Sequence, residues 1–197
     1  MTLLSPLDPA TSALLLMDFQ QDILANNLPP EQATSVLGNA TRLLELARCK
    51  AMPVIHVMVC FRPGHPEINA TNRVFSRIKQ NGLFVLGAAG TAIHPQLQPL
   101  AGEPVVHKHR VGAFSGTDLQ TLLRASQVDT LLIAGVATSG VVLSTVRHAA
   151  DQDYRLVVVA DGCADPAGRG GEHQRGGCSA GVRPARTASG RWRTQGA

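Results

Sequence analysis

Asp18, Lys108 and the hydroxyls of Thr138 and Ser139 are the residues of this chain whose types and positions could make an acid–base centre. Asp18 follows the apolar run ALLLM (13–17), and Phe19 and Gln20 come next. Lys108 lies in HKHR, at the end of a second apolar run, EPVVH (103–107). Thr138, Ser139, Gly140 and Val141 form a bend in GVATSGVVLST (135–145), straight after TLLIA. A buried carboxylate and a buried ammonium stabilise each other's charge, and either shifts its pKa as the pocket dries. That makes Asp18 a candidate general acid or base. The N–H groups at the helix start, on Gly140 and Val141, offer a place for a developing oxyanion.

Each residue also has a structural alternative. An aspartate after a strand can be a helix cap, a lysine a solvated edge residue, and the Thr-Ser bend only a cap. Arg62, near the end of another apolar run, is a candidate contact for an anionic substrate. Phe19 and Phe114 are candidate walls of a small apolar pocket, or ordinary core. His107 and His109 flank Lys108 and, on a strand, point to the face opposite it. Two such ligands without a third do not define a metal site, so neither metal nor cofactor is expected.

Five nearly continuous apolar runs read as buried parallel strands: 13–17, 53–59, 103–107, 130–136 and 155–160. Between them lie helical patterns. Val36, Ala40, Leu43, Leu44 and Ala47 make one apolar face over 30–50. Thr117 with Gln120 has the spacing of a capping box, and 140–152 fits another helix. The alternation predicts an α/β fold, a doubly wound, mostly parallel sheet with helices on both faces. In such sheets ligands bind at the carboxyl ends of the strands, where Asp18, Lys108 and the bend all fall. The long span between the second and third strands reads as loops plus a short helix covering a site.

The hydrophobic fraction of 44% and charged fraction of 16% are those of a globular domain. No apolar run approaches the roughly 20 residues needed to cross a bilayer, and the start lacks a signal-peptide pattern. The four cysteines have neither CxxC nor zinc-ligand spacing, which fits a reducing, cytoplasmic setting. The net charge of +4 comes from the last 32 residues, where six arginines face one glutamate. The rest is near neutral, so no nucleic-acid surface is expected on the fold. The domain is expected over 1–165. Residues 166–197 form a Gly/Arg-rich tail without periodicity, read as disordered or as a frame-shifted translation product.

LLLMDFQ, FRPG, EPVVHKHRVGAFSGTDL and LLIAGVATSGVVLSTVRHAADQDYRLVVVADGCAD together resemble the isochorismatase-like, or cysteine hydrolase, superfamily. The resemblance implies a six-stranded parallel sheet, of which the last strand and helix are missing here, and a homodimer or larger homo-oligomer. It implies hydrolysis of small amides or of a vinyl ether. Its catalytic aspartate and lysine match Asp18 and Lys108, and its cysteine position falls on Val141. It also implies a cis peptide near Val136-Ala137. The DxH metal pattern of nicotinamidases is absent. Valine has no nucleophilic atom, so a thioester through residue 141 is excluded. Three readings stay open. Asp18 acts as a general acid without a covalent intermediate, with Lys108 holding nearby charge; this is the preferred reading. Ser139 or Ser144 substitutes as nucleophile. Or the chain binds a small molecule, or serves assembly, without catalysis.

Overall fold

The structure is a computed structural model and describes residues 7–166. All but the first residue of the 166–197 tail therefore lies outside the described residues. Strands β1 (Ser12–Met17), β2 (Val54–Val59), β3 (Val105–Lys108), β4 (Thr130–Val136) and β5 (Arg155–Ala164) form one sheet. It is parallel throughout, in the order β3-β2-β1-β4-β5. Among the described residues there are thus five strands where the resemblance implies six. Strand order reverses between β1 and β4, which opens a crevice at their carboxyl ends.

Two apolar layers explain the continuous apolar character of β1, β2 and β4. Leu14, Leu16, Leu132 and Ala134 pack on one face against helix α2 (Pro30–Cys49) and helix α1 (Gln21–Asn27). Ala13, Leu15, Met17, Leu131 and Ile133 pack on the other against α4 (Leu119–Ala125) and α5 (Leu143–Ala150). All five apolar-face residues expected on α2 are buried. The long span holds α3 (Arg73–Gln80) and two short 3-10 turns, in line with its reading as loops plus a short helix. No described helix is long and apolar enough to cross a membrane.

Two local expectations are corrected. The capping box does not form: the N-cap of α4 is Asp118, and the Thr117 hydroxyl donates to Ala113 O at 2.6 Å. Gln120 is drawn away by Gln152 Oε1 at 2.9 Å. Strand β5 also runs on past 160, because a bulge lets it rejoin β4 at Gly135 and Val136.

At the opposite end of the sheet, Glu103 holds the edge strand in place. Arg48 Nε donates to Glu103 Oε1 and Arg48 Nη2 to Oε2, both at 2.8 Å. His56 Nε2 lies 3.1 Å from Oε2, and the Leu100 N–H donates to the same oxygen at 2.9 Å. The Arg48 hydrogen bonds are the largest influence holding the Glu103 carboxyl down at about 2, from an ordinary 4.5. A carboxyl depressed on folding stabilises the fold fully above its unfolded pKa, and that stability fades as pH falls through the folded value. Glu103→Gln is therefore expected to cost about 2–3 kcal/mol at neutral pH. It should also flatten the loss of stability between pH 4.5 and 2, as followed by urea denaturation across that range.

Candidate active site

Asp18 leaves β1 in a left-handed backbone conformation, φ 59°. Aspartate tolerates that region better than most residues, and such local strain clusters at functional sites. Its N–H donates to Val57 O at 2.8 Å. The side chain meets Lys108, whose position on β3 is set by the alternation of that strand. Val105 and His107 are exposed, whereas Val106 and Lys108 are buried. Lys108 Nζ lies 2.9 Å from Asp18 Oδ2, with the two side chains 3% and 7% exposed. The same ammonium donates to Arg110 O at 3.1 Å. Asp18 Oδ1 is buried and makes no hydrogen bond of good geometry.

Burial is the largest influence on the Asp18 carboxyl and drives its pKa up. The charge and hydrogen bond of Lys108 pull it back, as does the Val59 N–H, but the net shift is upward. An upward shift favours the protonated form, the state a general acid needs.

The bend opens beside Asp18 because Gly135 pairs with Met17 across the β1–β4 ladder. A Cβ on Gly135 would lie 2.9 Å from Met17 O and 3.2 Å from Val142 Cγ2, so only glycine permits this approach. The peptide between Val136 and Ala137 is cis, as the resemblance implies. Thr138–Val142 then form one π-helical turn leading into α5. The Gly140 N–H is committed to Ala137 O at 3.1 Å. The Ser139 hydroxyl and N–H both donate to the Asp165 carboxylate. Thr138 is half-buried, Ser139 is exposed, and Val141 is buried among the apolar residues that pack on Met17. Ser144 lies within α5, against Gly112.

Of the remaining candidates, Phe19 and Phe114 lie in the two cores and Arg62 at the surface. Phe19 is 2% exposed within the α2-side core. Phe114 stacks on His148 at 4.7 Å and leans on Tyr154, within the opposite core. Arg62 is 70% exposed and pairs with Glu67 Oε1 at 2.8 Å. His109 Nδ1 contacts Cys60 O at 2.5 Å. No group of three or more metal-ligating side chains occurs among the described residues.

Sequence reasoning missed Gln20. Its side chain is fully buried, donates to Val59 O at 2.9 Å and Thr91 O at 2.8 Å, and accepts the Val59 N–H at 2.8 Å. It thereby fixes the chain just after Asp18 to the end of β2. A polar amide three residues after the apolar run 13–17 was the available signal.

A model of the isochorismatase domain matches residues 12–177. The isochorismatase family protein YddQ of Bacillus subtilis is 32% identical over 158 residues, 78% of each chain. Maleamate amidohydrolase of Pseudomonas putida is 31% identical over 155 residues, 78% of this chain and 72% of that one. Among solved structures, an isochorismatase family protein from Desulfovibrio vulgaris superposes with a TM-score of 0.71 at 33% identity. That alignment covers 79% of this chain and 82% of that one. The sequence match and the shared parallel sheet lead to one assignment: this chain belongs to the isochorismatase family of hydrolases.

Proposed function

We propose that this protein hydrolyses a small molecule by acid–base chemistry of Asp18 and Lys108, without a cysteine nucleophile. The observation that carries the reading is the buried Asp18 carboxyl, with one oxygen on Lys108 Nζ at 2.9 Å and the other buried without a hydrogen bond of good geometry. In this reading Asp18 gives a proton to the leaving atom of the substrate, and Lys108 balances the charge that remains. Burial excludes bulk water and strengthens both effects. Thr138, Ser139, Gly140 and Val141 form one wall beside the pair and orient substrate or water. Phe19 and Phe114 support the pocket from the two cores, and Arg62 stands at its rim.

The substrate class is a small amide or an acid-labile ether. Relatives named maleamate amidohydrolase and ureidoacrylate amidohydrolase act on small amides, which supports the first. The absence of a nucleophile at Val141 supports the second. Two of the described thiols offer no substitute. Cys60 is buried and its thiol is pushed up by burial, and burial also drives Cys163 up to about 11. The protein works without a cofactor, in the cytoplasm, as a homodimer or larger assembly. The alternative is a catalytically inactive binding or assembly module, favoured by the burial of Val141 within an apolar cluster.

Turnover of a panel of small amides, N-carbamoyl compounds and vinyl ethers tests the proposal, before and after iodoacetamide. The expected result is hydrolysis that alkylation leaves within about twofold, because the thiol is not the reacting group. Inactivation tied to one cysteine would overturn the non-covalent mechanism. Saturable binding without turnover of any compound would leave the inactive module.

A further inference from the structure

We infer that Asp165 is a positioning residue that clamps the bend at Thr138–Val142 in the shape the site needs; this rests on the function proposed above. Asp165 Oδ1 accepts the Ser139 N–H at 2.9 Å and the Ser139 hydroxyl at 2.8 Å, and Oδ2 accepts the same N–H at 3.2 Å. The clamp grips the first turn after β4, where the element has no side-chain cap of its own. A carboxylate at that helix start satisfies a free donor and suits the local dipole.

The end of β5 is built to bring Asp165 there. Val158 pairs with Ile133 and Cys163 with Gly135, so five steps along β5 match two along β4. The extra residues form a bulge, a device that re-aims the chain beyond it. Asn39 Nδ2 of α2 donates to Asp161 O at 2.8 Å and fixes the bulge from one side. Gly162 closes it: a Cβ there would lie 3.0 Å from Ala134 Cβ and 3.1 Å from Leu43 Cδ1. After the bulge, Ala164 pairs with Val136, and Asp165 comes level with the bend. The bulge and Asp165 thus join the last described strand to the wall of the Asp18–Lys108 site.

Asp165→Ala tests this in the full chain. Hydrogen exchange of amides 137–143 should rise about tenfold or more, while exchange over β1 and β3 stays at the wild-type level. On whichever substrate the wild type hydrolyses, kcat should fall about tenfold with an unchanged pH profile, because Asp18 is untouched. Asp165→Asn keeps an acceptor for Ser139 and should restore most of both. Unchanged exchange at 137–143, a rise in exchange spread over the whole sheet, or wild-type turnover in Asp165→Ala would each overturn the inference. If the wild type hydrolyses nothing, the proposed function fails, and the exchange measurement alone still decides the clamp.

Discussion

Asp18→Asn is expected to lower kcat by at least about 10²-fold, the usual contribution of a positioned general acid. The amide has nearly the shape of the carboxyl, and its oxygen can still accept from Lys108 Nζ, but it has no proton to give in the ordinary pH range. KM should change little, because the proton is transferred in the transition state rather than on binding. The wild-type pH profile carries the same information. Burial raises the Asp18 pKa, so the active, protonated form is lost as pH rises through that raised value. The variant should lack this limb in its residual activity. Turnover that survives in Asp18→Asn with an unaltered profile would remove Asp18 from the mechanism. Because the substitution leaves the Lys108 ammonium buried without its counter-ion, circular dichroism must accompany the kinetics. The double variant Asp18→Asn, Lys108→Met removes both charges and should regain stability without regaining activity.

Lys108→Met is expected to be the most destabilising single change in the site, costing about 3–5 kcal/mol near neutral pH. It leaves the Asp18 carboxyl buried without its counter-ion. The sign of its pH dependence identifies the cause. Without the ammonium, burial acts on Asp18 with less opposition, and its folded-state pKa climbs above the wild-type position. A carboxyl raised on folding holds its proton more tightly in the folded state. The variant should therefore be most stable at acid pH and lose stability as pH rises through that folded value. This is opposite in sign to the contribution of Glu103, whose depressed carboxyl stabilises the fold at higher pH. Urea denaturation of Lys108→Met at several pH values separates the two. A cost that does not vary with pH would mean that Lys108 acts by filling space rather than by charge.

The strands were legible because a strand covered on both faces writes an unbroken apolar run, as TLLIAGV does over Thr130–Val136. Helix α2 was legible because one buried face repeats every three to four residues. The reading was weaker where a residue's partner lies far off in the chain. Gln120 has the right spacing for a capping box with Thr117, yet the remote Gln152 Oε1 takes its side-chain amide. Phe19 and Phe114 stand beside site motifs, yet their rings pack into the two cores. Gln20 looked incidental because Val59 and Thr91, its partners, are remote in sequence.

By itself, the sequence determined the α/β alternation, the ends of the strands that carry polar residues, and the absence of a nucleophilic atom at Val141. These follow from local periodicity and residue chemistry, which need no knowledge of neighbours. Only the tertiary structure decided which polar groups meet. The order β3-β2-β1-β4-β5 sets the ends of β1 and β4 side by side. The alternation of β3 turns Lys108 inward onto Asp18, and the bulge in β5 delivers Asp165 to Ser139. Such meetings depend on strand order, twist and register, which emerge when the whole sheet packs and are written in no single segment.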